Sequence, residues 1–135
     1  MDSFDLVIRG GTVVTSSETS RCDVGIRDGR IAALAERLLS FLRSRNSVRI
    51  IGNPSADRGR RVPTISFIAE NHRSDEVVTR VDEHRIGIRY GDFYARRLIE
   101  KLGLTLYGGV IRVSMVHYNT VSEVDRLVEA FDQIL

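Results

Sequence analysis

The sequence predicts an α+β fold: a two-layer unit of antiparallel strands with helices on one face, preceded by an N-terminal β-meander. Three observations carry this expectation. Short β-branched runs flank the turn-forming pairs Gly10-Gly11 and Asp28-Gly29. After Leu34, stretches of helical period alternate with short apolar runs. Near the end, Thr120-Val-Ser-Glu123 has the form of a capping box and opens a stripe of Val124, Leu127, Val128 and Phe131.

In order along the chain, residues 5–9, 12–15, 23–27 and 30–34 read as four strands forming two consecutive hairpins, with residues 16–20 as a polar loop. Leu34, Leu38, Phe41 and Leu42 then recur at helical spacing, which predicts a helix to about Arg45. Residues 48–51 and 62–68 read as strands, the second with Pro63 near its start, where a missing donor is tolerated. Ser74 is the expected N-cap of a helix to about Arg85, with Asp75 and Glu76 complementing its dipole. Residues 86–90 predict a short strand. Residues 93–102 predict a helix that stops at Gly103, and residues 110–116 the most regular strand.

Bulk properties narrow the function classes. A chain of 135 residues is enough for one cored domain, and 42% hydrophobic with 28% charged residues is a globular balance. No apolar run is long enough to span a bilayer, and the first ten residues lack a signal-peptide pattern, so a soluble cytoplasmic protein without a membrane partner is expected. A net charge of +2 implies no nucleic-acid partner. The densest basic patch, Arg58-Gly-Arg-Arg61, lies among loop-forming residues and reads as a solvated loop. The single cysteine, Cys22, can form no internal disulfide and is expected to be a small buried hydrophobe. His72, His84 and His117 have no partner at the spacings that close a zinc site.

Two resemblances divide the chain near residue 35. Residues 36–135 resemble the C-terminal small domain of class V aminotransferases, the PLP-dependent group that includes cysteine desulfurases. The carriers are Arg61-Val-Pro-Thr-Ile-Ser-Phe67, Ile86-Gly-Ile-Arg-Tyr-Gly-Asp-Phe-Tyr-Ala95, and Val110-Ile-Arg-Val-Ser-Met-Val-His-Tyr-Asn-Thr120 followed by Glu123-Val-Asp-Arg-Leu127. Residues 1–35 are similar to the first strands of a hydantoinase or dihydropyrimidinase of the amidohydrolase superfamily. They carry Phe4-Asp-Leu-Val-Ile-Arg-Gly-Gly-Thr-Val-Val14 and Asp23-Val-Gly-Ile-Arg-Asp-Gly-Arg-Ile-Ala-Ala33. Together the two resemblances imply a chimera, engineered or recombined.

The resemblance to aminotransferases implies a catalytic lysine and an aspartate on a large domain, both serving PLP. Neither the large domain nor the amidohydrolase metal ligands occur in this stretch, so no independent catalysis and no cofactor are expected. Lys101, the sole lysine, reads as a solvated residue of the 93–102 helix. Tyr94 falls where a desulfurase carries its cysteine. Arg112 matches the small-domain arginine that pairs with the substrate α-carboxylate; the alternative is a solvent-facing or salt-bridged strand residue. Tyr118 is expected to pack at the strand end. A carboxylate-binding module, a protein-binding module and a fragment complemented in trans by a large domain are the competing functions. The apolar positions Leu6, Ile8, Val13, Val24 and Ile26 predict a homodimer through the N-terminal β segment.

Overall fold

The computed structural model describes residues 6–14, 19–26, 30–57, 60, 62–116 and 118–135. It divides into two compact units, residues 1–30 and 31–135. The Asp28-Gly29 turn, Arg58, Gly59, Arg61 and His117 lie outside the described residues, as do the side chains of Cys22 and of Leu6, Ile8, Val13, Val24 and Ile26.

The first unit is a two-stranded antiparallel ribbon, β1 (Leu6–Val14) with β2 (Thr19–Ile26), and this corrects the expected meander. Gly10-Gly11 does not turn the chain. Gly10 takes φ +62°, and the register slips between Ile8 and Gly11, so the pair forms a bulge within one continuous strand. The expected fourth strand is instead the start of α1 (Arg30–Arg43). Its Ala-Ala-Leu run has strong helix propensity and joins the periodicity of Leu38 and Leu42.

The second unit has a four-stranded antiparallel sheet in the order β3 (Val48–Ile51), β4 (Thr64–Ala69), β6 (Val110–Ser114), β5 (Arg89–Gly91). Side chains alternate across the pleat. Ile65, Phe67, Ile111 and Val113 face one way and join the main core with Leu38 and Leu42 of α1. The same core takes Val77 and Val81 of α2 (Ser74–Glu83), and Val124, Leu127 and Phe131 of α4 (Val121–Ile134). Phe131 meets Phe67 edge-on at 5.5 Å and stacks with Phe41 at 6.5 Å. Fully burying such a side chain contributes about 1.5–3 kcal/mol. Ion pairs from Arg37 to Asp125 and from Arg45 to Asp132 tie α1 and the residue just beyond it to α4.

The opposite face of the sheet is not bare, which corrects the expectation of helices on one face only. Ile68 and Val110 point that way and pack with Ile99 of α3 (Arg96–Lys101) and with Leu104 ahead of a 3-10 turn at Thr105–Tyr107. This smaller cluster covers one half of the face.

The helix ends explain several boundaries. Thr120 caps α4 as expected: its hydroxyl accepts the Glu123 N–H at 3.2 Å, and the Glu123 carboxylate accepts the Thr120 N–H at 2.7 Å. Those backbone and Asn119 side-chain donors hold the Glu123 carboxyl below its usual range. Ser74 is not the N-cap of α2. Arg73 occupies that position, its N–H donating to Glu76 at 3.3 Å, and Ser74 is the first helical residue. The Ser74 hydroxyl is buried and donates to the Gly109 carbonyl at 3.1 Å, satisfying an acceptor away from water. At the far ends, Arg80 of α2 donates to the carbonyls of Gln133 and Ile134, and Arg126 of α4 donates to the His84 carbonyl. Each helix thus supplies the cation that the other's C-terminus favours.

Candidate functional site

The half of the second sheet face left open by α3 is polar, and period-two alternation makes it so. Arg112 on β6 stands opposite Ser66 on β4 and Arg89 on β5. The four strands therefore present a row of Ile51, Ser66, Arg112 and Arg89. The adjoining row pairs Thr64 with Ser114, whose hydroxyls lie 3.3 Å apart.

A close backbone approach sets the end of β5. Gly91 pairs with Val110, and a Cβ placed on Gly109 would press into the Gly91 carbonyl and come within 2.9 Å of its Cα. Beyond Gly91 the chain bends through Phe93 (φ 49°) and Tyr94 (φ 64°), left-handed conformations that bulky residues seldom take. The Asp92 carboxylate accepts the Tyr94 N–H at 3.0 Å and supports the bend. The expected helix over residues 93–102 consequently begins only at Arg96, while Gly103 follows it in the left-handed conformation, as anticipated.

That bend brings the Phe93 ring over Arg112, with the guanidinium carbon 3.7 Å from the ring centroid. Phe93 is half-buried against the second cluster, so the ring gives the guanidinium a fixed plane to rest on. Arg112 is itself half-buried, and among the described residues it makes no ion pair. Of the solvent-facing or salt-bridged alternative, the salt bridge finds no acidic partner among the described residues.

The other candidates are dispersed. Lys101 is exposed at the end of α3 and lines neither of the clefts flanking α3 and α2. The α3 cleft, about 430 Å³, is lined by Gly91, Asp92, Arg96, Ile99 and Glu100 among others, and its Arg96–Glu100 pair is closed on itself at 2.9 Å. His72 borders a groove along α2 with Asp75 and Glu76, and His84 is the C-cap of α2. Among the described residues no group of three His, Cys, Asp or Glu side chains could hold a metal ion. Tyr94 is fully exposed. Tyr118 is 70% exposed, and beside it the Asn119 side chain accepts the Val116 N–H at 2.8 Å. No helix among the described residues is long and apolar enough to cross a membrane.

Reading the sequence alone missed Arg89, Phe93 and Ser66. Arg89 and Ser66 become visible only once strand register is known, since each is an ordinary residue in its own strand. Phe93 lay inside a stretch of helical appearance.

Comparisons with known proteins agree over most of the chain. The family model for "Aminotransferase class-V" matches residues 20–127. The aminotransferase-like protein FGM3 of Gibberella zeae is 43% identical over 104 residues, covering 76% of this chain and 26% of that protein. The cysteine desulfurase-like protein ustD of Aspergillus flavus is 32% identical over 139 residues, covering all of this chain and 31% of that protein. Among solved structures, the Escherichia coli cysteine desulfurase CsdA in its S-sulfonic acid form superposes with a TM-score of 0.64 at 28% identity. That superposition covers 77% of this chain and 24% of CsdA. The chain therefore spans between a quarter and a third of the length of these two curated relatives.

Proposed function

The chain belongs to the class V aminotransferase family, and from that premise we propose that it is a substrate-holding small domain without turnover of its own. Its role is to grip a carboxylate with Arg112, and any catalysis requires the family's large domain. The stacking of Arg112 on Phe93, on the open polar half of the sheet, is the observation that carries this reading. A guanidinium held in one plane loses less freedom when it meets a planar carboxylate, and its fork matches that group bidentately.

The family's cofactor, PLP, does not fit the residues present. It supplies its chemistry through a lysine enclosed with it, and Lys101, the sole lysine, is exposed at a helix end and borders neither flanking cleft. Titration of the labelled chain with acetate, followed by NMR, tests the proposal. Saturable shifts around Arg112, Ser66 and Arg89 are expected, and Arg112→Ala should weaken them about tenfold or more. Unchanged affinity in Arg112→Ala would sink it, as would an aldimine absorbance band when PLP is added to the chain alone.

For residues 1–35 the second reading is a fused hydantoinase-like segment. The break between compact units at Arg30 and Ile31 favours it, while a family match that starts at residue 20 weighs against it. A two-stranded ribbon is marginal by itself, and its edges invite pairing with another chain. On this reading the whole chain is a homodimer through that segment and residues 36–135 are monomeric. Light scattering that finds the whole chain monomeric at high concentration rejects it.

A further inference from the structure

Several arginines among the described residues answer to an acid or a carbonyl. Arg37 pairs with Asp125, Arg43 with Glu36, Arg73 with Asp75, and Arg96 with Glu100. Arg89 and Arg112 do not. Among the described residues neither has a carboxylate within ion-pair distance, although they are direct cross-strand partners in the β5–β6 register. Residues so placed share one face with their Cβ atoms about 5 Å apart, and like charges directly opposite each other destabilise a sheet. One of the two is pinned by the Phe93 ring. The other is exposed on an edge strand, with a stem long enough to swing over the same space.

From this juxtaposition we propose that Arg89 and Arg112 form a two-arginine site for a small ligand with two acidic groups, such as an amino acid carrying a second carboxylate. The inference rests on the carboxylate role of Arg112 and adds to it the class of ligand. A monocarboxylate that takes the Arg112 fork leaves the Arg89 charge uncompensated beside it. A second acid one or two methylenes away neutralises both, and the cross-strand spacing of about 5 Å suits that length. The Ser66 hydroxyl, on the other flank of Arg112, is placed to donate to the first carboxylate. Arg112 is the anchor and Arg89 the residue that sets specificity.

Acetate and succinate, titrated into the whole chain in low-salt, chloride-poor buffer with NMR detection, test this. Succinate should bind about tenfold more tightly than acetate, well beyond the twofold that its second equivalent carboxylate supplies statistically. Arg89→Ala should bring the ratio down to about that twofold, because it weakens succinate more than acetate. Arg89→Gln, which keeps the stem, should do the same, and both variants should unfold at the parent temperature because the side chain is exposed. A wild-type ratio near two, or a ratio that survives Arg89→Ala, overturns the two-arginine site while the Arg112 reading stands. Binding of neither acid to the unmutated chain overturns both.

Discussion

Phe131→Ala should lower the stability of the chain by about 3–5 kcal/mol, measured as the shift of a urea or guanidinium unfolding curve. The ring is fully buried on α4 and is the point where three elements meet. It contacts Phe67 of β4 edge-on and Phe41 of α1 in a stacked arrangement. Truncation removes the transfer energy of the ring and both aromatic contacts. The neighbours are held by a helix on one side and a sheet on the other, so they collapse only partly into the space left behind. Since a domain of this size has a total stability of only about 5–15 kcal/mol, much of the margin is lost. Phe41→Ala, at a half-buried ring, should cost about half as much. Equal midpoints for Phe131→Ala and the parent would show that the main core does not hinge on this residue.

Gly109→Ala should cost about 3 kcal/mol, for a different reason. The residue has φ +93° and faces the backbone of Gly91, so an added methyl is strained and must push β5 away from β6. The carbonyl it displaces belongs to the residue that pairs with Val110, and the Ser74 hydroxyl depends on the Gly109 carbonyl as well. Gly103→Ala is the control: it also has positive φ, 69°, but nothing lies within 4 Å of the added methyl. Only the conformational cost of about 1–2 kcal/mol then remains. Comparable losses for the two substitutions in chemical unfolding would rule out the backbone contact as the cause. Because Phe93 follows directly from β5, Gly109→Ala should also release the ring from Arg112, and chemical shifts of the Phe93 ring would report it.

What the sequence announced correctly was local. The Thr120–Glu123 box, the strand around Arg112 and the stop at Gly103 each depend on residues within one turn or one strand of each other. The misreadings came where tertiary context decides. Gly10-Gly11 suits a turn and a bulge equally well, and only the partner strand selects between them. The run before Leu34 reads as a strand or as the first turn of a helix until the core claims Leu34, Leu38 and Leu42 together. Phe93 and Tyr94 defied prediction because bulky side chains so rarely adopt positive φ. Ser74 looked like a cap because its type favours that position, whereas a buried carbonyl 35 residues away had the stronger claim on its hydroxyl. At the site, Arg112 was singled out through the family resemblance of its strand motif. Its neighbours were not, since adjacency across strands is a property of register and not of spacing along the chain.

The open half of the sheet has a bearing on how this scaffold can change. Ser66, Arg89 and Arg112 belong to neither apolar cluster, and Arg89 lies on the outermost strand. Replacements of the exposed Arg89 cost folding little, whereas Arg112 is half-buried and stacked on Phe93. Gly109, just ahead of β6, tolerates almost nothing, because an added Cβ there meets the Gly91 backbone. On the proposed carboxylate reading, ligand choice is therefore open to change by single substitutions at Arg89 while the supporting backbone stays fixed.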